Sequence, residues 1–316
     1  MEGGISLERN INFDQWKWVQ LNKNELNTVW EKETILSGWL SSVRKNQTNF
    51  VKVHGLIDGE RVVNGSLIYR QNEDKEEDRQ IFHFYITSNT LFTIDLEFTS
   101  FKQLSPEVML RQLNKMENAV DGFLFLLGEL VNDLLGEIDQ FEESLHKLMW
   151  GVKKRNDMRI LEHVFCQRHE LLVCKNLLIP IQELKMAIEE NDFPTVNNGD
   201  IFIRTCKRID RAMVLLREYE QELDSMIHLE EVISSHRGNE IMKTLTVLTI
   251  IFTPIMALGA LWGMNFKHMP ELEWRYGYLV SIVSIVLSTA LLYGYLKSKG
   301  WTGDLLKGKK KGSFFH

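Results

Sequence analysis

Apolar and polar positions follow a short period in the first hundred residues and a helical period afterwards. Between Trp16 and Glu97, β-rich runs at Lys17–Leu21, Ser66–Gln71, Ile81–Thr87 and Thr90–Asp95 are separated by turn sequences such as IDGE, QNEDKEED and TSNT. In the same stretch, Asn24–Leu40 brings Leu26, Val29 and Trp30 to one side at helical spacing, which predicts an amphipathic helix. Residues 1–104 are therefore expected to form a small α/β domain; the strand order is not readable.

After Ser105 the chain is built almost wholly of helix formers. Pro106 suits a first helical turn and Ser105 its N-cap. Gly151, followed by KKRND, predicts a turn between two helices, and EENDFPTVNNGD (189–200) is the next breaker. Beyond it no proline occurs before Pro254. One helix of roughly 60 residues would be about 90 Å long, more than a compact soluble domain accommodates. Residues 105–244 thus read as a helical region ending in a long stalk.

Two uncharged apolar segments follow, Leu245–Leu261 and Tyr276–Leu296. Since about 20 apolar residues cross the hydrocarbon of a bilayer, residues 245–296 are expected to be a transmembrane hairpin with a loop at 262–275. The overall composition, 25% charged and 44% hydrophobic, conceals this segregation. Six of the 37 basic residues and one of the 43 acids lie after Leu296, which leaves 31 against 42 before it, a net of −11. An acidic body with a basic tail (297–316) argues against a nucleic-acid partner. Arg237 and Lys243 before the first span, and the lysines after the second, place both flanks and both termini in the cytoplasm and the loop outside. Trp262, Trp274, Tyr276 and Tyr278 cluster at that outer end as an interfacial belt. The first thirty residues lack a basic start followed by an apolar run, so no secretory signal is expected. Cys166, Cys174 and Cys206 suggest reduced thiols in a cytosolic setting.

The first span carries Met242, Leu245/Thr246, Thr249, Thr253, Met256, Ala260 and Gly263 at steps of three and four residues, on one face. Such a stripe serves close helix packing in lipid, or it serves as a pore wall. Two spans cannot enclose a channel, so the second reading needs several copies.

At the end of the stripe stands Gly263-Met264-Asn265-Phe266, followed by Met269-Pro270-Glu271-Leu272. This Gly-Met-Asn signature, with NEIMKTLTVLTIIFTPIMALGALWGMNF (239–266) leading into it, resembles the CorA family of magnesium/cobalt transporters. The order of parts fits as well: an N-terminal α+β cytosolic domain, a long helical stalk and a two-helix transmembrane hairpin. The resemblance implies a funnel-shaped homopentamer in the cell membrane whose pore is lined by the first span. It makes Gly263, Met264 and Asn265 the ion-selecting mouth, and Met242, Leu245, Thr249, Thr253, Met256 and Ala260 the wall, with Met242 and Leu245 as a narrow dewetting gate. Mg²⁺ sheds water reluctantly and prefers oxygen, so neutral carbonyls at Asn265 and Gly263 suit a hydrated ion. The ion expected is chiefly Mg²⁺, with Co²⁺ and Ni²⁺ behind it, entering passively on the membrane potential. No cofactor is expected beyond Mg²⁺ as cargo and candidate regulator. Where the family often has an acid after the signature, this chain has Lys267, which leaves Glu271 and Glu273 as the acids of the outer loop. Counting back from Met242, the family's regulatory acid falls on Arg204, near Asp200 and Asp210, so the regulatory metal site is unassigned. The alternatives are a zinc transporter of the related branch, against which MPEL argues, and a membrane scaffold without transport.

Other signals carry less. HVFCQRHELLVC (163–174) could pair His163 or His169 with Cys166 on a metal, but no second pair closes a four-ligand site. The acidic run NEDKEEDRQ (72–80) reads as a solvated loop. Glu117, Asp121, Glu129, Asp133, Glu137, Asp139, Glu142 and Glu143 are expected to form a solvent face, the alternative being that they face neighbouring subunits and bind Mg²⁺. With no phosphate loop, nucleophile–base pair or cofactor motif, no catalytic residue is assigned and an enzyme is not expected.

Overall fold

The computed structural model describes residues 7–12, 14–23, 34–57, 60–72, 75, 77–154, 158–191, 193, 199–265, 267, 269, 270 and 274–301. The chain divides into two compact units, Met1–Ser225 and Met226–His316.

The first unit is built on one mixed six-stranded sheet: β1 (Leu7–Ile11), β2 (Trp16–Leu21), β3 (Phe50–Ile57), β4 (Glu60–Gln71), β5 (Arg79–Ile86) and β6 (Thr90–Ile94). Its order is β1-β2-β6-β5-β4-β3, and every pair is antiparallel except β2 with β6. The four expected strands are present. β1, β3 and the first half of β4 were not expected. Of the predicted helix, the structure describes α1 at Thr34–Lys45, extending five residues past Leu40, whereas Asn24–Glu33, with Leu26, Val29 and Trp30, lies outside the described residues.

Strand alternation sorts the side chains to two faces. Val19, Leu21, Tyr85, Phe92 and Ile94 form a core with Leu36, Trp39, Leu40 and Val43 of α1. The opposite face presents Trp16, Trp18, Phe82 and Phe84 to the helical part: Phe84 stacks on Phe123, with centroids 5.0 Å apart, and the Trp16 Nε1–H donates to the Met116 carbonyl at 3.0 Å. After a short 3₁₀ turn at Phe98–Ser100 come α2 (Pro106–Leu113), α3 (Ala119–Lys154), α4 (Met158–Glu190) and α5 (Asp200–Trp262). As expected, Ser105 caps α2, its hydroxyl accepting from the Val108 N–H at 3.5 Å, with Pro106 at the first position. The break between two helices falls within the expected stretch, since α3 ends at Lys154 and α4 starts at Met158, but Gly151 itself lies inside α3. A single glycine costs a long helix only about 1 kcal/mol, and packing along 36 residues overrides it.

The acids of α3 do not form one solvent face. Glu117, Asp139, Glu142 and Glu143 are exposed, whereas Asp121 and Glu129 are buried and Asp133 and Glu137 half-buried. Spacings that drift around the helix carry the middle of the run under α5 and the chain before α2. Glu129 accepts from Arg208 at 2.8 Å, and Asp133 accepts from the backbone N–H groups of Lys102 and Gln103. Burial is the largest influence on Asp121 and Asp133 and raises both carboxyls.

His83, on β5, is fully buried, and among the described residues neither ring nitrogen has a hydrogen-bond partner. Burial, aided by the charge of Lys23, lowers its pKa from 6.5 to about 4. The folded state therefore resists a proton that the unfolded chain accepts. Its stabilising contribution is complete above about pH 6.5 and is lost as pH falls toward 4, a change of about 3 kcal/mol. Unfolding temperatures measured across pH 4–7 are expected to show this loss in the wild type and a flatter profile in His83→Leu.

Candidate functional site

The second unit contains the end of α5 and a further helix, α6 (Gly277–Ser298). Both are long and apolar enough to cross a membrane, and their most apolar windows are only 6% buried. On α6, Tyr278, Leu279 and Leu291 are 83%, 62% and 66% exposed. A soluble surface rarely carries so continuous an apolar face.

Pro254 is the buried centre of one side of α5, with Val247, Ile250 and Leu258 half-covered around it; the matching side of α6 holds Ser281, Ile285, Thr289 and Tyr293. Every residue of the predicted stripe other than Thr246 is exposed: Met242 60%, Leu245 54% and Met256 61%, with Thr249, Thr253, Ala260 and Gly263 also open. At 100° per residue the stripe lies roughly 100–180° around the helix from Pro254. It therefore faces away from α6, while Leu248, Ile251 and Ile255 occupy the remaining side. The packing of the two spans accounts for the Pro254 side and leaves the exposed small and hydroxyl residues of the stripe uncovered by the described residues.

The threonines have a defined orientation. The hydroxyls of Thr246, Thr249 and Thr253 donate to the carbonyls four residues back, at 2.8, 2.9 and 2.7 Å. Each hydroxyl has a single hydrogen, so its oxygen is left outward as an acceptor only. The sequence had shown that threonines line this face but not that their donors are used up. An acceptor wall suits a hydrated cation, whose water hydrogens point outward.

α5 stops at Trp262. The Gly263 N–H donates to the Gly259 carbonyl at 2.9 Å and the Met264 N–H to the Leu261 carbonyl at 3.4 Å. Gly263 is not in the left-handed region; what it contributes is size, since a Cβ there would stand 3.0 Å from the Gly259 oxygen. Asn265 and Lys267 are exposed just beyond the helix end. Glu271 and Glu273 lie outside the described residues. Past the loop, Trp274 and Tyr276 pack edge-on at 6.4 Å, and the Gly277 N–H donates to the Trp274 carbonyl at the start of α6.

A sequence profile of the family described as "CorA-like Mg2+ transporter protein" matches residues 45–298. The chain belongs to that family. It is 43% identical over 301 residues to the magnesium transport protein CorA of Bacillus subtilis, covering 94% of each chain. It is 24% identical over 182 residues to the cobalt/magnesium transport protein CorA of Thermotoga maritima, covering 56% of this chain and 51% of that one. The solved CorA magnesium transporter from Methanocaldococcus jannaschii shares its fold, with a TM-score of 0.59 at 16% identity over 91% of this chain and 92% of that one.

Elsewhere, the predicted candidates do not converge. Asp200 and Arg204 are both highly exposed, 3.9 Å apart, and Asp210 pairs with Lys185 at 3.2 Å. Cys166 is exposed on α4 and Cys174 buried, while burial pushes the Cys206 thiol up to about 11. Among the described residues no three His, Cys, Asp or Glu side chains gather to hold a metal ion.

Proposed function

We propose that several copies of this chain form a membrane channel for divalent cations, chiefly Mg²⁺, in which the exposed stripe of α5 is the pore wall. The observation that carries this reading is the direction of that stripe. A helix pair in lipid has no reason to turn two threonines and a glycine away from its partner, but a ring of copies turns them toward a common axis. Five is the number implied by the resemblance to the family, whose relatives include a magnesium transporter 43% identical to this chain.

In this arrangement Asn265 and the Gly263 carbonyl form the outer mouth and receive the hydrated ion through neutral oxygens. The acceptor oxygens of Thr253 and Thr249 carry it inward with its water shell largely intact. Met242 and Leu245 narrow the inner end with apolar side chains, which can gate by excluding water. Both termini lie in the cytoplasm. Influx is passive: a divalent ion crossing the full potential gains about 4.6 kcal/mol per 100 mV, twice the value for one charge.

The test is ion influx into liposomes containing the purified protein. Mg²⁺ is expected to enter when the interior is negative, more readily than Zn²⁺, and to stop on depolarisation at zero chemical gradient. Flux indifferent to voltage, or absent in a correctly assembled protein, would contradict the reading; absence of flux would favour a scaffold.

A further inference from the structure

The first unit exposes large apolar side chains in a pattern that the ion pathway does not use. Among its described residues eight are exposed, and six of them share one surface: Phe165, Leu172, Ile179 and Met186 on α4, with Val214 and Ile203 on α5. The four on α4 are seven residues apart, so they fall on one side of the helix over about 31 Å. With Arg168/His169, Lys175/Asn176 and Gln182/Glu183 polar at the intervening positions, only one position per heptad on this side is apolar, which makes a narrow stripe that another surface can cover and not a full coiled-coil seam. The signal was legible in the sequence, since only a heptad count is needed.

The two helices are already joined at this surface. Lys175 bonds Glu220 at 2.7 Å, Arg168 meets Asp224 at 3.2 Å and Lys185 meets Asp210 at 3.2 Å. These pairs run antiparallel along α4 and α5 and set the apolar side chains beside them as a furrow, with a hollow of about 350 Å³ at the Phe165–Leu172 end. The rims differ in charge. Past the α4 stripe, on the side away from α5, Glu162, Glu183 and Glu190 are exposed; on the outer side of α5, Arg204, Lys207 and Arg211 are exposed beside Asp200, with Glu218 two turns further on, so that this rim is basic at its Ile203 end.

We infer that this furrow is a contact surface between copies of the chain, the acidic α4 rim of one copy meeting the basic α5 rim of the next. The inference rests on the reading of the protein as a multi-copy channel and names where its soluble parts touch. The polarity chooses the occupant. At its Met186–Ile203 end the apolar strip has an acidic edge (Glu183, Glu190) and a basic one (Arg204, Lys207, Arg211), which complements another copy placed head to tail, and repeated head-to-tail contacts close into a ring. A two-fold dimer needs a self-complementary patch instead.

Carbodiimide treatment of the full-length protein in detergent, reconstituted from isotopically light and heavy copies, tests this directly. Glu183 or Glu190 is expected to couple to Lys207 of a different copy, giving mixed light–heavy peptides. Glu183→Lys should lose the coupling at that position and weaken assembly, and adding Lys207→Glu should restore assembly. Ile179→Glu, neutral for the folding of one copy because the side chain is already exposed, should lower the yield of cross-linked copies about tenfold, equivalent to about 1.4 kcal/mol. If the protein runs as an oligomer but these glutamates couple only within a copy, the furrow is not the contact and the pore reading stands. A protein that runs as a monomer would overturn both.

Discussion

Asn265→Ala is expected to assemble normally and to lose most Mg²⁺ flux, by tenfold or more. The side chain is exposed beyond the end of α5 and makes no hydrogen bond among the described residues. Truncating such a residue usually changes stability by no more than about 0.5 kcal/mol. In the proposed ring flux responds differently, because one substitution removes a carbonyl oxygen from every copy around the mouth. A tenfold loss corresponds to only about 1.4 kcal/mol of barrier, a small amount against the several oxygens withdrawn together. Asn265→Asp should separate affinity from rate: a ring of carboxylates holds the ion longer, so half-saturation falls and maximal flux falls with it. Lys267→Glu should raise apparent affinity modestly, with the gain vanishing at high salt as an exposed charge is screened. Paired measurements of concentration-dependent flux and oligomer size distinguish these outcomes from simple misfolding.

Gly65→Ala is expected to be among the most destabilising single changes in the soluble unit. Gly65 sits in β4 between Val51 of β3 and Phe84 of β5. A Cβ there would stand 2.2 Å from the Phe50 carbonyl oxygen and 2.8 Å from the Phe84 ring. The ring can tilt, but the carbonyl belongs to the strand ladder and cannot move without parting β3 from β4. A cost on the order of 3 kcal/mol follows from overpacking of this kind, or a fall of about 6–12 °C in the unfolding temperature of a unit of this size. Gly38 provides the contrast. It lies inside α1 with nothing within 4 Å of an added Cβ, so Gly38→Ala should stabilise by up to about 1 kcal/mol. Thermal unfolding of the two variants beside the wild type should move in opposite directions.

The sequence was most informative where one period dominates. The spans, the long helix and the stripe from Met242 to Gly263 each rest on spacing within a single element, and their placement needed no knowledge of a partner. The sheet was harder. β1 reads LERNI, a short and largely polar edge strand that hydropathy does not distinguish from a loop. β3 begins with clear alternation, Phe50-Val-Lys-Val-His, but Gly55 falls where its register with β4 shifts, which breaks the pattern. The pairing of β2 with β6 is parallel and joins residues more than 70 positions apart, and no local signal encodes it. The acids of α3 depart from a solvent face for a related reason. Charge predicts solvent only until another chain segment supplies donors, as Arg208 and the Lys102 and Gln103 amides do. On the stripe of α5, the sequence located the threonines, whereas only the structure showed that their hydrogens are turned back into the helix.

Thiol modification at Thr253 tests the pore wall most directly. In a background with Cys166, Cys174 and Cys206 replaced, Thr253→Cys and Ile282→Cys would be reconstituted separately, and Mg²⁺ influx measured before and after a small cationic thiol reagent. Thr253 faces away from α6 on the stripe, and Ile282 is a 45% exposed residue of α6. The account predicts that modification stops flux through Thr253→Cys, that Mg²⁺ slows the modification, and that Ile282→Cys continues to conduct. Undiminished flux through a fully modified Thr253→Cys protein would contradict it.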